Sequence, residues 1–456
     1  MTEITTEKQN LSFVELGTEK ISKLLTKYSI PAIIAMTASA IYNITDSIFI
    51  GHGAGPMAIS GFAITFPVMN LAAAFGSLIG AGGSALLSLR LGQKDYLSAK
   101  KILGNVILLN LIIGSVFSFI MLSFLDKILL FFGATENTLP YARDFMHIIL
   151  FGTVITHLYL GLNALLRSLG SPLKAMIATL FTVVLNLILN PMFIFGFKLG
   201  IKGSALATVI SQSCVLIWQL SVFLNKKNMI RIEKSIFKLS YRIVKEIFSI
   251  GLSPFLMNFA SCIIIIIINR GLVKYGGDLA VGAYGIVNRM SFLFVLIVFG
   301  LNQGMQPIAG YNYGAKLFDR VSKVLKITIL FATIVVTVGF IVVHLFPNSI
   351  TSFFTSDQQL INLTIRGMKF AFMFFPIIGF QMVSATFFQS IGMAYKAIFL
   401  SLTRQVIFLI PCLLILPSFL GIDGIWISLP ISDLASTILT AILLTLQLKK
   451  LKKGTK

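Results

Sequence analysis

The chain has 456 residues, of which 56% are hydrophobic and only 12% charged, with a mean hydropathy of +0.92. Soluble domains carry about 25% charged residues, so this balance excludes a soluble globular protein and marks an integral membrane protein. The 37 Lys and Arg outnumber the 16 Asp and Glu, for a net charge of +21, which invites a nucleic-acid partner until the positions of those charges are read.

In chain order, residues 1–23 form a polar tail without the short apolar core and small-residue cleavage site of a removed signal. Twelve apolar runs follow, near 24–50, 58–88, 103–124, 142–168, 172–197, 203–225, 244–272, 279–310, 322–345, 361–391, 395–419 and 424–448. Each has the length of a membrane-spanning helix; a barrel strand needs only about ten alternating residues. Lys and Arg gather in alternate loops (90–101, 167–174, 226–245, 316–326) and in both tails. Positively charged loops stay on the cytoplasmic side, so both termini are expected there. The charge excess is thereby accounted for, with anionic lipid headgroups as its partner, and nucleic acid is excluded.

The two halves repeat. LRLGQKDYLSAKKIL at 89–103 matches YNYGAKLFDRVSKVL at 311–325, and LLRSLGSPLKAMI at 165–177 matches FFQSIGMAYKAIF at 387–399, both at an offset of 222. An even number of crossings per half makes the repeats parallel, related by an axis along the membrane normal. The expected fold is an all-α integral membrane protein of twelve transmembrane helices in two pseudo-symmetric six-helix bundles. Its parts are a cytoplasmic tail (1–23), a first lobe (24–225), a cytoplasmic linker (226–243), a second lobe (244–448) and a basic cytoplasmic tail (449–456).

No Walker loop, dinucleotide turn or HExxH motif occurs, so an enzyme is not expected, nor is any cofactor; an ion gradient must supply the energy. Cys214, Cys262 and Cys412 lie in separate apolar runs and read as packing residues. His157 reads as a hydrogen-bonded helix histidine, and Gly76, Gly80, Gly82 and Gly83 as points of close helix approach.

From Tyr28 to Ile50 the first run carries a single charge, Asp46. A carboxylate at the centre of a bilayer costs roughly 2.5–3.5 kcal/mol on insertion scales, so one is rarely kept without a function. Ser39, Tyr42, Asn43 and Asp46 share one helix face; Thr182, Asn186 and Asn190 repeat at i, i+4, i+8 in the fifth run, as do Ser204, Thr208 and Gln212 in the sixth. Packed together, these stripes predict a carboxylate ringed by neutral oxygens that takes up a proton or a dehydrated cation. In the second half Asp433 and Arg289 fall at the same depth and are expected to pair, as a structural lock or as a second coupling site.

The strings PAIIAMTASAIYNITDSIFIG at 31–51, NALLRSLGSPLKAMI at 163–177 and GLNQGMQPIAGYNYGAK at 300–316 carry a family resemblance over nearly the whole chain. The sequence resembles the multidrug and toxic-compound extrusion (MATE) transporters, within them the MepA-type branch. The resemblance implies two lobes packed in a V. It also implies export of amphipathic, mainly cationic organic molecules from a bacterial-type cytoplasmic membrane against inward proton or sodium flow. It places the cation-coupling cluster on Asp46, Tyr42, Asn186 and Thr208, with sodium, if used, held at Asp46, Asn186 and Thr208. It places an aspartate where this chain has Asn190, so one carboxylate remains and a protonation switch is favoured over sodium. The chain is expected to work as a monomer, with no bound metal required. The competing expectation is a flippase of the wider superfamily for lipid-linked or other amphipathic metabolites, which would need a basic cavity.

Overall fold

The computed structural model describes residues 13–453; residues 1–12 and 454–456, in the two expected tails, lie outside the described residues. Long apolar runs leave the backbone no partner in hydrocarbon but itself, and helices satisfy every internal N–H and C=O within one segment. Among the described residues there is accordingly helix and no strand. The first half contains α1 (Glu15–Thr18), α2 (Ile21–Ala54), α3 (Pro56–Gly92), α4 (Tyr96–Ser123), α5 (Leu125–Phe131), α6 (Leu139–Ser168), α7 (Pro172–Pro191) with a π turn at Met192–Gly196, and α8 (Ile201–Leu224). The second contains α9 (Tyr241–Gly314), α10 (Phe318–Leu345), α11 (Pro347–Phe354), α12 (Gln358–Ala371), α13 (Phe375–Ser390), α14 (Ala394–Leu402) with a π segment at Thr403–Leu409, α15 (Ile410–Leu420) and α16 (Ile422–Lys453).

Ten of these helices are long and apolar enough to cross a bilayer, counting α7 and α14–α15 with their π segments as one crossing each. The 74 residues of α9 would reach about 110 Å if straight, several times a hydrocarbon core of about 30 Å. Gly277, at φ 68° and ψ −170°, folds α9 into two arms and two crossings. The pair α12 and α13, bent by 53° at a short break, makes one more. Twelve crossings result, in two six-helix bundles as expected from sequence.

The internal repeat is written in the turns. Left-handed backbone is costly for L-residues and is adopted only where a turn demands it. Gly55 and Gly277 (φ 86° and 68°), Lys94 and Lys316 (60° and 59°), and Gly170 and Gly392 (84° and 76°) each pair at the same separation of 222 residues; Gly200 and Gly421 (56° and 58°) pair at 221. The same hairpins are built twice, down to single residues.

The bundles meet along α2, α3 and α9 at the end that bears the basic loops. A Cβ on Gly251 would lie 1.7 Å from the Leu78 carbonyl oxygen, so α3 and α9 touch backbone to backbone there. Gly82 faces α9 in the same seam, whereas Gly76 and Gly80 face His157 and Gly161 of α6, within one bundle. Arg90 pairs with Glu246 across the seam at 2.6 Å. Gln306 Nε2 donates to the Ala81 carbonyl and the Ser84 hydroxyl at 3.3 and 3.2 Å. Arg320 and Asn312 hold the Leu16 carbonyl, and Arg320 also holds that of Glu19, so the turn of α1 is strapped to the second bundle. Towards the opposite end Ile41, Ile44 and Ile48 on α2 and Leu279 and Leu293 on α9 are exposed. The contacts named above that join the two bundles lie towards the basic-loop end.

Candidate functional site: a buried carboxylate behind a polar cavity

Asp46 lies eight residues before the end of α2 and is only 4% exposed. Its Oδ1 accepts hydrogen bonds from Asn190 Nδ2 at 2.5 Å and from the Ser204 hydroxyl. From there a chain of neutral groups leads away. Asn190 Nδ2 lies 3.5 Å from Asn186 Oδ1, Asn186 Nδ2 donates to Thr208 Oγ1 at 3.2 Å, and Thr208 shares a 2.9 Å hydrogen bond with the Tyr42 hydroxyl. Three helices supply these groups at four-residue spacing: Tyr42 and Asp46 on α2, Asn186 and Asn190 on α7, Ser204 and Thr208 on α8. Residues so spaced sit one above the other on a helix face, which is why the rows mesh.

All five residues expected at the coupling site thus come together. Ser204, visible in sequence only as a member of the α8 stripe, is a direct donor to the carboxylate. The rest of the stripes does not reach the carboxylate but lines a cavity beside it: Ser39 and Thr182 bond to carbonyls of their own helices, Gln212 Oε1 accepts from Thr156, and with Asn43 all three face that cavity. Asn190 precedes Pro191, which has no N–H to donate, and the helix passes into its π turn one residue later. Such turns recur at functional sites because they re-aim the side chains around them. An amide at position 190 can donate to Asp46, where a second carboxylate would repel it. Asn190 Oδ1 is buried and has no hydrogen-bond partner among the described residues. Oxygens from Asp46, Asn190, Asn186, Thr208 and Tyr42 form a donor set suited to a proton or a monovalent cation. Among the described residues no group of three His, Cys, Asp or Glu forms a metal cluster.

Beside this network lies a cavity of about 420 Å³, walled by α2, α6, α7 and α8 and touched by Phe292, Leu296 and Gln303 of α9. Tyr42, Asn186 and Thr208 line it; Asp46 does not, and reaches it only through them. Arg167, which in sequence reads as a cytoplasmic loop residue, belongs to α6 and lines the cavity. No sequence signal separates it from the other basic loop residues.

The second half corrects one expectation. Asp433, 5% exposed, pairs with Arg404 Nε at 2.6 Å and not with Arg289, which is exposed and has no carboxylate within ion-pair distance among the described residues. Depth along the chain fixes height in the membrane but not rotation about the helix. Arg404 lies in the π segment Thr403–Leu409, which packs against α16 and brings the guanidinium to Asp433. His157 is fully buried, with Nε2 2.9 Å from the Ala72 carbonyl oxygen, as a hydrogen-bonded helix histidine should be.

Paired bundles, a seam between them and a buried polar cluster opening on a cavity define a multi-pass membrane transporter. The MatE family model matches residues 31–192 and 250–414, and the chain belongs to this MATE family of multidrug-efflux transporters, which are not enzymes. It is 30% identical over 413 residues, 91% of each chain, to the multidrug export protein MepA of Staphylococcus haemolyticus, and 28% identical over the same length to that of Staphylococcus aureus. Among solved structures, a MATE transporter in a bent conformation superposes with a TM-score of 0.92 at 24% identity, covering 98% of this chain and all of the other. An outward-facing multidrug-resistance MATE transporter of the MOP superfamily gives 0.90 at 24% identity, covering 96% and 98%.

Proposed function

We propose that the chain is a secondary antiporter that expels amphipathic organic compounds, cations among them, in exchange for protons entering through Asp46. The observation that carries this reading is the setting of Asp46: a buried carboxylate whose partners are all neutral, unlike Asp433 with its arginine. A charge without a counter-charge in a low-dielectric site is poised to be neutralised by a proton or a cation. Protonation gives Asp46 one O–H to donate, leaves its other oxygen an acceptor, and removes the charge that strengthens the bonds from Asn190 and Ser204. Asn190 Oδ1, unpartnered among the described residues, accepts the new O–H if the amide turns over, and Nδ2 then leaves its contact with Asn186 Oδ1. The rearrangement couples the proton to α7, and so to the cavity wall.

The same orphaned oxygen favours sodium as the second reading, since a dehydrated cation wants one more neutral oxygen beside the carboxylate. With positive loops inside, the chain sits in a bacterial cytoplasmic membrane with both termini cytoplasmic, and one chain suffices. The test is efflux of a fluorescent organic cation from liposomes of purified protein, with pH and sodium gradients imposed separately. Response to the pH gradient alone supports proton coupling; response to sodium alone transfers the role to sodium; response to neither sinks the antiport reading.

A further inference from the structure

The cavity beside the coupling network has one formally charged residue in its wall, and that residue is a cation. Arg167 stands in the last turn of α6. Its Nη1 donates to Asn163 Oδ1 at 2.6 Å, and Asn163 is itself fixed by bonds from Nδ2 to the Ala175 carbonyl and the Thr179 hydroxyl of α7, at 3.0 and 3.2 Å. No carboxylate lies within ion-pair distance of Arg167 among the described residues. A cation in the last helical turn complements the carbonyls there, but that role does not require it to face a cavity. A guanidinium offers five N–H donors in a planar fork that matches a carboxylate with two parallel bonds. Here it is held in place by a second residue that is itself held. The carboxylate of Asp46 stays behind Tyr42, Asn186 and Thr208, so a bound molecule touches the positive pole directly and the negative one only through neutral groups.

We propose that this cavity selects amphipathic molecules carrying a carboxylate, which Arg167 grips, while the apolar or cationic remainder lies along α2 towards Tyr42 and Asn43. Lining residues on α2 run from Pro31 to Asn43, about 18 Å of helix, enough for a fused three-ring compound. The inference rests on the transport reading in taking this cavity as the substrate site, and it narrows the substrate class from cations to zwitterions.

Rhodamine 110 and its methyl ester, rhodamine 123, differ in one carboxylate and separate the two ideas. Equilibrium binding of each dye to purified protein would be followed by fluorescence anisotropy in wild type, Arg167→Gln and Arg167→Lys, with liposome efflux run in parallel. Wild type should bind the acid about tenfold more tightly than the ester, Arg167→Gln should abolish that preference, and Arg167→Lys should keep part of it. A purely structural arginine would weaken both dyes alike and leave their ratio unchanged, which would overturn the proposal, as would a wild type that prefers the ester. Preferential binding of the acid without gradient-driven efflux keeps this inference and sinks the antiport reading. Efflux of the ester without preference for the acid does the reverse.

Discussion

Asp46 was legible because a lone charge in an apolar helix has a large cost and therefore a reason. Tyr42, Asn186, Asn190 and Thr208 were legible because polar residues spaced by four on otherwise apolar helices must face something polar. Ser204 was half visible, as one member of a stripe, since spacing names a face but not which hydroxyl reaches the carboxylate. Arg167 was hidden among the basic loop residues, because a helix end that turns into a cavity leaves no mark on composition. Asn190 donates to Asp46 where a second carboxylate would repel it, and a single substitution tests the difference. In Asn190→Asp two carboxylates would share the site, a stronger trap for a cation than one. The expected outcome is that a sodium gradient drives dye efflux at least several-fold faster in the variant than in wild type, measured in liposomes at constant pH. An unchanged sodium response would mean that position 190 does not help to choose the ion.

At the scale of elements, the twelve apolar runs and the repeat at offset 222 carried the architecture, since hydrophobic length and turn chemistry are local properties. The paired left-handed turns at Gly55 and Gly277 show how far that local code extends. What sequence could not supply was rotation. Equal depth suggested Arg289 for Asp433, and the π segment in the crossing just before α16 supplied Arg404 instead. Asp433 is 6% exposed in its side chain and Arg404 31%, so the pair lies towards the weaker end of the range for buried ion pairs. Asp433→Asn should destabilise the protein by about 3 kcal/mol by leaving Arg404 without its charge partner, and Arg404→Gln in the same chain should recover much of that loss. Thermal unfolding in detergent of the two single variants and the double variant reads this directly. Additive losses would show that the two residues are not coupled; full stability with lost transport in Asp433→Asn would make the pair a second coupling site.

For the whole molecule, sequence foretold two lobes but not where they touch, because the approach of Gly251 to the Leu78 carbonyl depends on how each helix is rotated. The seam between lobes is the part that must change. It is held by the close approach of Gly251 to Leu78, by Arg90–Glu246 and by the strap from Arg320 to the carbonyls of Leu16 and Glu19. Glu246→Gln removes the charge from a half-buried pair without changing its shape. Spin labels on the basic loops of the two lobes should then report a larger population with long separations in the variant than in wild type. No change in the distance distribution would mean that backbone packing alone keeps the seam shut.

The central claim is that ion entry and substrate exit share one carboxylate, and the most direct measurement follows the proton itself. Liposomes holding purified protein and a trapped pH indicator would be given an outward gradient of an organic cation, with no imposed pH gradient, in wild type and in Asp46→Asn. The account predicts that cation efflux acidifies the lumen in wild type and that Asp46→Asn produces neither efflux nor acidification. Equal efflux and acidification from both proteins would contradict it.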